Sequence, residues 1–190
     1  MSPEFEPSPR ARFALVVSLW GVFVSNVTIT VLLVALPSIA RELNAPMAAT
    51  NWVSLAPLLA VAACTPLAGG LTDRLGARRI WLAGFVLTLV GIFASAVAPD
   101  LPMLILARFV TGVGGALFMP AALAIISALY PPALRATPIG YWTSTVAISP
   151  LLGVVIGGYL TELLGWRTLF YGQLAMGLPA LLAGFSLPTQ

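Results

Sequence analysis

Arg108 is the one ionisable side chain well inside an apolar segment, seven residues into the run that starts at Leu101. A guanidinium at a bilayer centre costs roughly 2.5 to 3.5 kcal/mol on insertion scales, so it is expected to face a bundle interior or a watered cavity. The alternative is an arginine that snorkels to the near surface. Thr111 and Gly115 share its helical face and leave room for a ligand or a close helix. Such a group binds an anion or lowers the pKa of a neighbouring acid, but a guanidinium stays protonated and cannot serve as the proton carrier. A second polar set lies between Phe13 and Ala40, where Ser18, Gly21, Ser25 and Thr28 share one face and Asn26 and Thr30 another. Small residues form transmembrane interfaces, so Asn26 and Thr30 are the expected lining pair, with the face that carries Thr28 as the alternative.

The absences are equally informative. The chain has no His, which excludes a Ser-His nucleophile and an HExxH zinc site, and no phosphate-binding loop. None of the six acids falls in the middle of an apolar run, so no intramembrane acid pair is available. These features point away from an enzyme and call for no cofactor and no metal. The lone Cys64 sits in an apolar segment and is expected to pack as a small residue.

The elements that position these groups are set by composition. The chain has 59% hydrophobic residues, 8% charged residues and a mean hydropathy of +1.01, against about 25% charged for a soluble domain. It is an integral membrane protein, in contact with lipid, and a net charge of +3, small and scattered, does not suit nucleic acid. A crossing needs about 20 apolar residues. Six spans are expected over 13–40, 48–71, 80–97, 101–129, 139–160 and 169–187, after a disordered lead over residues 1–12. Residues 13–190 then form one six-helix transmembrane domain.

The charge-dense run Leu71-Thr72-Asp73-Arg74-Leu75-Gly76-Ala77-Arg78-Arg79 falls between spans 2 and 3. It returns 89 residues later as Leu160-Thr161-Glu162-Leu163-Leu164-Gly165-Trp166-Arg167, and a double glycine precedes each copy, Gly69-Gly70 and Gly157-Gly158. The offset covers three spans, an odd number, so residues 13–97 and 101–187 form two inverted three-helix repeats, an arrangement that gives secondary transporters two gates around one site. The ends holding Arg10, Arg12, Arg74, Arg78, Arg79 and Arg135 carry six arginines against two, Arg41 and Arg167, at the others. By the positive-inside rule both termini are cytoplasmic. Trp52, Trp81, Trp142 and Trp166 fall near span ends, as an interfacial aromatic belt would. On span 5, Ser149, Gly153 and Gly157 make a small-residue ridge for close helix packing, with Pro150 bending the helix.

These motifs resemble those of the major facilitator superfamily. Gly69 to Arg79 is similar to its cytoplasmic signature between helices 2 and 3, and Arg108-Phe109-Val110-Thr111-Gly112 to the helix 4 signature of proton-coupled drug exporters, with Thr111 where Gln is usual. Gly153 to Gly158 resembles the helix 5 antiporter signature, with Val154 in place of Pro. Ala35-Leu36-Pro37 and Trp166-Arg167 are similar to the multidrug branch with fourteen helices, which usually has an acid where this chain has Thr28 and Asn where it has Leu33. The resemblance implies half of a major facilitator fold, in a bacterial inner membrane, moving a small organic solute by alternating access, with drug or metabolite efflux foremost. It also implies a second six-helix half, as a homodimer or a covalent carboxy-terminal half. Within it, Asp73 would face the start of the helix equivalent to span 5 in that other half, and Glu162, Gly165 and Arg167 would repeat the gate on the outer side. The alternative expectation is a non-transporting half with a structural or regulatory role in a membrane complex.

Overall fold

The structure is a computed structural model that describes residues 8–187, with the side chains of residues 28–31 outside that description. Six long helices make up the bundle: α1 (Pro9–Glu42), α3 (Trp52–Leu75), α4 (Ala77–Ala96), α5 (Leu101–Leu129), α6 (Ala136–Leu164) and α7 (Arg167–Gly184). The short α2 (Met47–Thr50) leads into α3. Helix α1 begins ahead of the expected span: the Ser8 hydroxyl accepts from the Ala11 N–H and Pro9 opens the helix, a favourable pairing at a helix start. Residues 9–12, expected in the lead, are therefore helical, and residues 1–7 lie outside the described part.

Among the described residues, five helical segments are long and apolar enough to cross a membrane: Pro9–Val27, Met47–Leu75, Ala77–Ala96, Leu101–Leu129 and Ala136–Leu164. The sixth expected span, α7, is 18 residues long and is not among them. At 1.5 Å per residue it reaches about 27 Å, just short of a hydrocarbon core of about 30 Å, and it carries Arg167 and Gln173. It nevertheless completes the bundle by packing along α4 and α1.

The packing follows the repeat. Helix α3 lies along α5 as α6 lies along α1; α4 lies along α5 as α7 lies along α1; α1 meets α5, and α4 meets α7. Exchanging α1 with α5, α3 with α6 and α4 with α7 leaves this set of neighbours unchanged, as a pseudo-two-fold between the two expected repeats requires. The interfaces are made the same way. Helix α6 buries Ser149, Gly153, Gly157 and Thr161 in one stripe. Their counterparts 89 positions earlier are Ala60, Cys64, Ala68 and Thr72, of which all but the half-buried Cys64 are buried. Small side chains at every fourth position let two helix backbones approach closely, the main source of association where lipid removes the hydrophobic drive.

The core departs from the aromatic-belt expectation. Trp81 and Trp166 are fully buried, and Trp81 stacks on Phe85 with Phe118 edge-on to it. Trp52 is exposed and Trp142 half-buried, as interfacial residues can be. Nearness to a span end did not separate the two classes because both repeats draw the start of their third helix into the bundle.

Candidate functional site

Arg108 lies about 10 Å along α5 from its start, given the helical rise, and is only 3% exposed. It does not snorkel. Its guanidinium sits 5.8 Å from the centre of the Phe170 ring, and its Nε and Nη1 have no hydrogen-bond partner among the described residues. The side chain lines a cavity of about 140 Å³ between α1, α3, α4 and α5, with Ser25, Asn26, Ser54, Thr88 and Thr111 contributing the other polar groups. Three of these are committed to their own helices: Asn26 Nδ2 donates to Val22 O at 2.9 Å, Thr88 Oγ1 to Gly84 O at 2.9 Å and Thr111 Oγ1 to Ala107 O at 2.9 Å. Ser25 Oγ and Ser54 Oγ are buried and unpartnered among the described residues.

Gly112 sets the width of this site. A Cβ there would lie 2.6 Å from Pro57 Cα, a backbone atom, so α5 touches α3 directly beneath the cavity. Ser25 belongs to the face of α1 expected to pack, yet it lines the cavity beside Asn26, because the cavity spans the edge where the two faces meet. Thr28 and Thr30 lie outside the described side chains. Ser54 and Thr88 were not singled out in the sequence; the signal available was only a lone hydroxyl residue inside an apolar span.

The two charged turns occupy opposite ends of the bundle. In each, a glycine with positive φ closes the preceding helix, Gly76 at φ 88° and Gly165 at φ 83°, a conformation that favours Gly. Their N–H groups donate to the carbonyls of Thr72 and Thr161, 3.0 and 3.1 Å away, so the turns share one geometry. Arginines 89 positions apart then make reciprocal ties. Arg78 at the start of α4 donates to the carbonyl of Phe185 at the end of α7, and Arg167 at the start of α7 donates to the carbonyl of Ala98, just past α4, at 3.0 Å. Asp73, Arg74 and Arg79 are exposed and line an open cleft with Gly76 and Arg78. Asp73 forms no ion pair among the described residues. Gly69 is half-buried and Glu162 exposed.

Among the described residues, the second turn carries an ion pair and the first does not. Glu42, at the end of α1, pairs with Arg167 and accepts from Trp166 Nε1 at 2.7 Å, while the Arg167 guanidinium lies 4.2 Å from the Trp166 ring centre. The sequence reading missed Glu42. The available signal was the unmatched acid of the 1/2 loop lying at the same end of the bundle as Arg167.

On α6, Ser149, Gly153 and Gly157 are buried, Gly158 is half-buried with room for an added Cβ, which would lie 3.9 Å from Val34, and Pro150 lies within the helix. Close by, Gln173 Nε2 donates to Val24 O at 2.6 Å across the α1–α7 contact.

Comparison with known proteins settles the family. The model of the Major Facilitator Superfamily matches residues 18–189. The chain belongs to the major facilitator superfamily. Similar proteins include the tetracenomycin C resistance and export protein of Streptomyces glaucescens, 32% identical over 89% of this facilitator chain and 31% of the relative. The methylenomycin A resistance protein of Streptomyces coelicolor is 34% identical over 83% of the chain and 33% of the relative. A putative multidrug resistance protein, MdtD, of Salmonella newport is 32% identical over 94% of the chain and 38% of the relative. The chain thus spans about a third of the length of these relatives. It is a membrane protein of a transporter family, similar to exporters and resistance proteins.

Proposed function

We propose that this chain exports a small organic solute, a drug-like compound or metabolite, across a bacterial inner membrane by alternating access, working with a second six-helix half. The carrying observation is the pair of equivalent turns at opposite ends of a bundle whose polar cavity lies between them. Each turn ties the third helix of one repeat to the third helix of the other, so a rigid rocking of the bundle can be read at both ends. The positive-inside count places the Asp73 turn and both termini in the cytoplasm. There the unpaired carboxylate of Asp73 is poised for the start of α6, near Ala136, in the other half, where the first backbone N–H groups lack helical partners. A carboxylate at that dipole end gains about 0.3 to 1 kcal/mol, and about 2 kcal/mol when partly buried. Its release would open the cytoplasmic side.

Reconstitution in proteoliposomes tests this. The expected result is retention-reversing flux of tetracenomycin C or methylenomycin A, saturable in solute and slowed by Asp73→Asn. Vesicles that hold well-folded, correctly inserted protein in paired form and pass no solute would instead favour the structural role.

A further inference from the structure

We propose that the Arg108 cavity is a built site for a singly charged anion the size of a halide or a carboxylate, held by Arg108, Ser25 and Ser54. The guanidinium is buried with two of its nitrogen groups unpartnered, and a buried charge is stable only when paired and hydrogen-bonded. The bundle does not supply that charge. The acids of the sequence are Glu42, Asp73, Asp100 and Glu162 at helix ends and Glu4 and Glu6 ahead of α1, while residues 28–31 are Thr, Ile, Thr and Val. Glu42 is already engaged by Arg167 and Trp166.

The buried lining atoms without a partner among the described residues, Arg108 Nε and Nη1 and the Ser25 and Ser54 hydroxyls, can all donate. Arg108 offers Nε–H and Nη1–H, and the hydroxyls of Ser25 and Ser54 can turn their hydrogens inward. The donor groups of Thr88 and Thr111 and the amide nitrogen of Asn26 are spent on backbone carbonyls, which leaves the Asn26 Oδ1 as the acceptor of the lining. A buried guanidinium with hydroxyl donors in the same lining fits an anion and repels a cation. The walls at Pro57, Leu58, Val61 and Met119 are apolar, which strengthens the attraction and disfavours a divalent, strongly hydrated ion. A volume of about 140 Å³ holds several water-sized groups, enough for a halide with remaining waters or for a carboxylate on a short stem.

This inference rests on the Arg108 cavity as a binding site and not on export, so the test measures binding directly. The full chain is purified in detergent in sodium sulfate and titrated with sodium bromide, sodium acetate or sodium benzoate at constant ionic strength, following the unfolding temperature and the bromide NMR linewidth. The expected result is a saturable rise in unfolding temperature that vanishes in Arg108→Gln and needs on the order of tenfold more anion in Ser25→Ala/Ser54→Ala, as befits lost hydrogen bonds to a charged group. Saturation by bromide identifies a free inorganic anion; saturation by carboxylates alone identifies the headgroup of an organic solute. No saturable effect from any of the three, or an equal effect in Arg108→Gln, overturns the site. Should Arg108→Gln fail to fold, unchanged affinity in the double serine variant overturns it as well. Anion binding without flux in vesicles sinks export alone, and flux without anion binding sinks this site alone.

Discussion

At the scale of single residues, the environments of Arg108 in the interior and Arg167 at a helix start differ in what completes them. Arg167 is satisfied three ways, by Glu42, by the Ala98 carbonyl and by the Trp166 ring, whereas among the described residues the Arg108 guanidinium has the Phe170 ring and no hydrogen-bond partner for Nε or Nη1. Arg108→Ala is therefore expected to leave insertion intact or improved, because a buried charge is removed, and to abolish solute flux. Wild-type flux through a well-folded variant, measured in proteoliposomes, would make the arginine a passive core residue. Glu42→Gln keeps an acceptor for Trp166 Nε1 but loses the ion pair. Since Glu42 and Arg167 are 49% and 32% exposed, the expected loss is at most about 1 kcal/mol and shrinks with added salt, seen as a shift of about 2 to 4 °C in the melting temperature. Arg108 was visible in the sequence because charge is rare in apolar spans. Glu42 was not, because its meaning depends on which helix end faces Trp166 and Arg167, 124 and 125 residues away.

At the scale of elements, the helices and their inverted order were legible, since hydropathy marks long apolar runs and an 89-residue offset leaves paired turns. The depth of each element in the bundle was not. Trp81 and Trp52 have similar sequence surroundings near span ends, yet one is buried and the other exposed, a distinction made by which neighbours close over them. Glycines show the same contrast and make it measurable. Gly112 meets the backbone of Pro57, so Gly112→Ala must push α5 off α3, at an expected cost of about 1 to 3 kcal/mol for overpacking. Gly140, in the first turns of α6, has nothing within 4 Å of an added Cβ. Gly140→Ala should stabilise the same fold by about 0.5 to 1 kcal/mol through helix propensity. Thermal unfolding in detergent of the two variants side by side checks the signs, and equal effects would contradict the α3–α5 contact at Gly112.

At the scale of the whole molecule, an asymmetry distinguishes the two equivalent turns. The Gly165 turn is locked within the chain by Glu42, whereas the Gly76 turn has its tie to Phe185 but leaves Asp73 exposed and without an ion pair among the described residues. The bland account, in which Asp73 merely balances Arg74, Arg78 and Arg79, is weakened because no such pair forms. An exposed acid at the end of α3, with no ion pair to its own arginines among the described residues, suits a contact made with another six-helix half. In a pair of these chains the nearest candidate is the partner's start of α6, where Pro138 is buried but Thr137 is exposed. Single cysteines at Gly76 and Thr137, in a Cys64→Ala background, are therefore expected to cross-link between chains in membranes, more readily when the cytoplasmic side is closed. Asp73→Asn should lower that yield and cut turnover more than solute affinity, since the contact belongs to one end state and not to the cavity. If cross-links never form between chains and Asp73→Asn moves solute at the wild-type rate, the free carboxylate has no gating contact.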